Sequence, residues 1–163
     1  RTIAVTVEAN IALRLQFLAR VVRKECQHLA ITDQRLFIGM FTLAQAAQLE
    51  ADHDLAERVE AFVGRFARLQ DTVGDKLLPL FLIALGEKAS AAIDNLDLAE
   101  RLGLLKSADE WMTMRNLRNQ MIHEYVEDPV VLINALQSAH AFVPTLIAVA
   151  NKMLDEIELR GWT

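Results

Sequence analysis

The sequence predicts an all-α protein, an up-and-down bundle of about five to six helices. Three observations predict it. Apolar residues return at three- and four-residue steps along most of the chain. Leu and Ala dominate while Gly and Pro number only 6 and 3, a balance that favours helix. No stretch alternates apolar and polar residues over a useful strand length.

The first helix is expected from about Val5 to Leu29, on the stripe Ile11, Leu15, Leu18, Val22 and Leu29. Thr32 and Asp33 read as a helix start, with helix continuing from Arg35 to Leu49. After a polar break at Asp52–Asp54, a third helix runs from Leu55 to Val73 on Val59, Phe62, Val63, Phe66 and Leu69. Gly74 and Pro79 make Asp75–Leu85 a kinked continuation, with Leu77–Leu85 buried on all sides. Asp94–Leu102 is a short helix closed by Gly103. Ser107 and Glu110 have capping-box spacing and start a helix over Ala108–Tyr125. Asp128 as N-cap and Pro129 at the first helical position start the last helix, which runs to about Leu159 with a kink at Pro144.

The 163 residues, 53% of them hydrophobic, suffice for one domain spanning 1–163. A net charge of −5 speaks against wholesale electrostatic binding to nucleic acid. It leaves room for a local basic patch, and Arg101, Lys106, Arg115 and Arg118 lie close in sequence. The lone Cys26 permits no intramolecular disulfide and no cysteine-based zinc site, which suits a cytoplasmic protein. It reads as a small apolar filler. Pro129–Asn151 carries no charged residue, but Asn134, Gln137, Ser138, His140 and Pro144 lie within it. It reads as a buried core helix, with no membrane partner.

The helix from Trp111 to Tyr125 carries the chemistry. At about 100° per residue, Trp111, Met114, Leu117, Met121 and Ile122 share one apolar face. Arg118 and Tyr125 intrude near its middle, while Arg115, Asn119 and His123 line a neighbouring flank. A guanidinium cannot shed its charge on burial, so Arg118 needs a counter-charge, carbonyls, water or an anionic ligand. Asp71, Asp75 and Glu87 are the candidate counter-charges, Asp71 first. Arg118 therefore reads either as a phosphate-binding group at a cleft or subunit interface, or as an internal ion pair. Of the histidines, His28 and His53 are expected in solvent and His140 packed and hydrogen-bonded in the core. His123 stands apart because it shares a flank with Arg115 and Asn119, and an imidazole can exchange a proton at neutral pH. Arg118 and His123 are separated by about 140° on a regular helix. Either Arg118 curls round, or the helix is distorted, or two chains share the site. The last option suggests a two-fold dimer with two arginines and two histidines about one groove.

Arg118, Asn119, His123 and Tyr125 form an Arg-polar-x3-His-x-Tyr pattern that resembles the signature of the HEPN superfamily, more narrowly its HepT-like toxins. Phe66–Pro79, Gly86–Glu87 and Leu102–Trp111 are also similar to bacterial members, so the diagnostic region is 59–129. The resemblance implies a HEPN-like bundle that forms a homodimer through this helix. It implies a metal-independent endoribonuclease, needing no cofactor, that acts as the toxin of a toxin–antitoxin system. Its partners would be RNA and a minimal nucleotidyltransferase antitoxin that silences it by adding AMP to Tyr125. On this reading Arg118 stabilises phosphorane charge, His123 moves the proton, Asn119 holds the phosphate, and Arg115 is a further phosphate or RNA contact. Some relatives are implied to be non-catalytic nucleotide- or substrate-binding subunits of a nucleotidyltransferase complex, which is the alternative reading. The chain is longer than the compact toxins in its amino-terminal helical region.

Overall fold

The computed structural model describes residues 7–39, 41–123 and 128–162, and these are helical with no strand among them. The helices are α1 (Ala9–Leu36), α2 (Leu43–Ala47), α3 (His53–Asp71), α4 (Leu78–Ala84), α5 (Ala92–Arg101), α6 (Ala108–His123) and α7 (Pro129–Leu159). A π-helical turn, Thr72–Leu77, joins α3 to α4 without a break. The all-α expectation holds.

Two boundaries differ from the local signals. Thr32 and Asp33 do not start a helix; α1 runs through them to Leu36. Their side chains serve distant partners, the Thr32 hydroxyl accepting from Arg65 and Asp33 meeting His140. The stripe Leu29, Thr32 and Leu36 stays buried, so packing carries the helix onward. The helix expected from Arg35 to Leu49 is reduced to the short α2. It starts at Thr42, whose hydroxyl accepts from the Gln45 amide at 3.2 Å while the Gln45 side chain accepts from the Thr42 amide at 3.0 Å, a complete capping box.

Other signals are realised as local chemistry requires. Asp52 caps α3 by accepting from the Leu55 amide at 3.0 Å. Gly103, at φ +77°, follows the last residue of α5 and its cap, and Leu104 donates back to the Ala99 carbonyl at 2.9 Å in a Schellman closure. Ser107 accepts from the Glu110 amide at 3.0 Å, and the Ala108 amide turns to Glu100 at 2.8 Å. Asp128 accepts from the Val130 and Val131 amides ahead of α7, with Pro129 at its first turn.

The core lies where α1, α3, α4, α6 and α7 meet, centred on Leu15, Val22, Phe62, Phe66, Leu82 and Leu146, all at most 0% exposed. In the stretch Leu77–Leu85, Pro79 is half-buried and Ile83 is 43% exposed, so α4 shows one narrow stripe to solvent. The α7 helix is long and apolar enough to cross a membrane. It also buries Leu136, Ala139, Leu146, Ala150 and Met153 completely against its neighbours and continues through Pro144. His140 is less buried than expected, its side chain 44% exposed. It stacks on Phe37 at 4.1 Å and meets the Asp33 carboxylate at 2.6 Å, a bridge from α7 to α1.

Candidate functional site

Three residues fix how α6 lies on α3. The Gln70 side chain, 1% exposed, donates to the Trp111 carbonyl at 3.3 Å. The Trp111 indole, 2% exposed, lies over Gly74 in the π-turn, where an added Cβ would stand 3.1 Å from a ring carbon. A Cβ there would sit tighter than most side-chain contacts, so glycine leaves the ring its room. The turn itself is defined by the Leu78 amide bonding to the Val73 carbonyl, one residue beyond the α-helical partner. Such insertions recur at functional sites because they re-aim the side chains around them.

Here the turn separates two carboxylates that face α6. Asp71, the last residue of α3, pairs with Arg118, and Asp75, inside the turn, pairs with Arg115. The acids ascend in sequence as the arginines descend, so the pairs form two rungs between antiparallel elements. Of the three candidate counter-charges for Arg118, the structure brings Asp71 to it; Asp75 serves Arg115 instead. The signal was the matched spacing: two acids four apart against two arginines three apart, each within one helical turn.

The two arginines are held differently. Arg115 donates from Nη1 and Nη2 to the two Asp75 oxygens at 2.8 and 3.0 Å, a fork-to-fork pair. That hydrogen bond, outweighing partial burial, holds the guanidinium above its already high ordinary range. Arg118 uses Nη1 alone, for Asp71 and for the Ala67 carbonyl at 3.4 Å. Its Nε is buried without a partner, and among the described residues nothing takes its Nη2. The Arg118 side chain is 15% exposed, so it lies near the surface.

Asn119 and His123 are exposed on the last turns of α6, beside Ile122, which is 48% exposed. Of the apolar face expected on this helix, Trp111 and Met121 are buried, Met114 and Leu117 are half-buried, and Ile122 faces solvent. Tyr125 lies outside the described residues. No described group of three or more His, Cys, Asp or Glu side chains could hold a metal ion.

Behind the rungs lies a residue the sequence did not single out. Glu25 of α1 accepts from the Thr72 hydroxyl at 2.9 Å, while its other oxygen is buried without a partner. Burial pushes its carboxyl above the ordinary carboxylate value, against the pull of Thr72, Arg68 and Lys76. Glu25 thus ties α1 to the π-turn that positions Asp71 and Asp75. A polar residue preceding the buried Cys26 was the only local hint.

No family model, no curated protein and no solved structure matches the chain.

Proposed function

We propose that the chain is a HEPN-type, HepT-like endoribonuclease, the toxin of a cytoplasmic toxin–antitoxin pair, working as a homodimer without metal or cofactor. The observation that carries this reading is the state of Arg118. Its guanidinium is oriented by Asp71 and Ala67 through one nitrogen, and among the described residues its Nη2 is untaken. A fork held this way is prepared for a phosphate oxygen, because little ordering is left to do on binding. Asn119 and His123 are exposed one and five positions further along the same helix.

In this mechanism the RNA 2′-oxygen bonds to phosphorus as the bond to the 5′-oxygen breaks, leaving a 2′,3′-cyclic phosphate and a 5′-hydroxyl. His123 takes the 2′-hydroxyl proton and returns a proton to the leaving oxygen. Arg118 neutralises charge on the pentacovalent phosphorus, and Asn119 holds a non-bridging oxygen. A two-fold pairing of α6 would set Arg118 opposite the partner subunit's His123. Tyr125 would accept AMP from a minimal nucleotidyltransferase antitoxin, closing the site with a bulky anion.

One observation favours a second reading, a non-catalytic nucleotide-binding subunit of a nucleotidyltransferase complex. Asp71 already neutralises Arg118, which lowers the positive potential available to a transition state. RNA turnover separates the two. Purified protein in chelator should cleave RNA, and Arg118→Ala and His123→Ala should each abolish cleavage while helicity persists. Wild-type cleavage by His123→Ala would refute the ribonuclease mechanism; tight nucleotide binding with no cleavage by the intact protein selects the binding subunit. Co-expression with an adjacent nucleotidyltransferase should add mass in multiples of AMP, lost in Tyr125→Phe.

A further inference from the structure

A second cationic feature lies on the other side of α3, between that helix and α1. A groove of about 410 Å³ is lined by Arg35, Arg58, Arg65, Thr32, Asp54 and Glu57, and by the small Ala61. Three arginines line it, in a chain whose net charge is −5. Arg35 and Arg58 make no ion pair or hydrogen bond among the described residues. Asp54 and Arg58 stand four apart on α3, a spacing that permits an ion pair on a helix surface, and the pair is not made.

Arg65 is built into the groove rather than left loose. Its Nη1 donates to the Thr32 hydroxyl, a residue 5% exposed, and to the His28 carbonyl at 3.2 Å. Its other terminal nitrogen has no partner among the described residues. One nitrogen anchored and one untaken among the described residues is the arrangement found at Arg118, here between α3 and α1.

We propose that this groove binds the phosphate of a ribonucleotide. Forked donors suit a phosphate or diphosphate, since a guanidinium can give two parallel N–H bonds to a pair of its oxygens. Asp54 and Glu57 at the same groove are unsuited to phosphate but suited to accept from vicinal ribose hydroxyls, the use carboxylates have in nucleotide sites. Among the described residues the lining has no aromatic ring, so the site is read as one for sugar and phosphate. The volume lies within the range of small-ligand pockets and is of mononucleotide size. The inference stands whether or not the Arg118 site cleaves RNA.

The test is calorimetric titration of the full chain with ADP and, separately, with a uridine hexanucleotide at low salt. Saturable binding of either is expected, weakened at least tenfold in Arg58→Gln and in Arg35→Gln. Because neither arginine is bonded among the described residues, the thermal midpoint should not move. Asp54→Asn combined with Glu57→Gln should remove the preference for ADP over its 2′,3′-dideoxy analogue. Tighter ADP identifies a free nucleotide as the source; tighter hexanucleotide identifies an RNA strand. No saturable binding of either probe, or unchanged affinity in both arginine variants, overturns the proposal.

Discussion

Arg115 grips Asp75 with both terminal nitrogens, at 2.8 and 3.0 Å. Arg118, one turn away, holds Asp71 with one nitrogen, and among the described residues nothing takes its Nη2. The two rungs therefore divide their work. The first fixes α6 against the π-turn, and the second fixes a guanidinium while leaving it available.

That division predicts different consequences for the two arginines. Arg115 and Asp75 are 29% and 37% exposed, so solvent screens the pair. A double-mutant cycle of Arg115→Gln and Asp75→Asn should give a coupling of about 0.5–1 kcal/mol by urea unfolding. Arg115→Gln should retain most RNA or nucleotide binding. Arg118→Lys should keep the attraction to Asp71 but lose binding, because an ammonium cannot offer a second forked edge. Equal loss of binding in Arg115→Gln and Arg118→Lys would show that the open edge is not what matters.

Gly74→Ala tests how tightly α6 is seated. Alanine favours helix over glycine by up to about 1 kcal/mol. The new Cβ would lie 3.1 and 3.2 Å from Trp111 Cζ2 and Nε1. The ring cannot retreat easily, since it is 2% exposed and packs edge-on to Phe142. Overpacking should win, with a net loss of about 1–2 kcal/mol in denaturant unfolding. Trp111→Phe in the same background, which shortens the ring, should recover part of it.

These residues also show what local sequence can reveal. Caps at Asp52, Ser107 and Asp128 and the closure at Gly103 were legible because each uses neighbours within a few positions. Thr32 and Asp33 misled for the same reason: they look like a cap, but Arg65 and His140, far along the chain, hold their oxygens. Arg118 was legible as an intruder in an apolar face. Its geometry was not, because single-nitrogen anchoring depends on where the π-turn sets Asp71, and no local pattern encodes that turn beyond Gly74 and Pro79. Glu25 escaped notice because its burial comes from α1 packing against the π-turn.

Cys26 reports on opening of that region. The thiol is 8% exposed, and burial, with Glu25 as a lesser cause, pushes its pKa from 9.0 to about 11. Two units mean about a hundredfold less thiolate at pH 8 than for an unperturbed thiol. Alkylation by iodoacetamide should be at least that much slower in native protein than in urea. A native rate close to the unfolded rate would mean that α1 does not stay packed in solution.

Glu25 makes the sharpest pH prediction. Its folded pKa is raised above the ordinary 4.5, mainly by burial. The folded state therefore holds its proton more tightly than the unfolded chain does. Stability from this group should be greatest below the unfolded value and fall as pH rises through the folded one. Above that window the buried carboxylate is a net cost, borne because it keeps the Thr72 hydroxyl bond. Glu25→Gln retains an acceptor for that hydroxyl and removes the charge. It should be more stable than wild type at pH 7, and the advantage should shrink as pH falls toward 4. Denaturant titrations of both proteins from pH 4 to 8 measure the difference. An advantage that grows on acidification would mean that Arg68 and Lys76 outweigh burial, with Glu25 acting as an ion-pair partner to the turn.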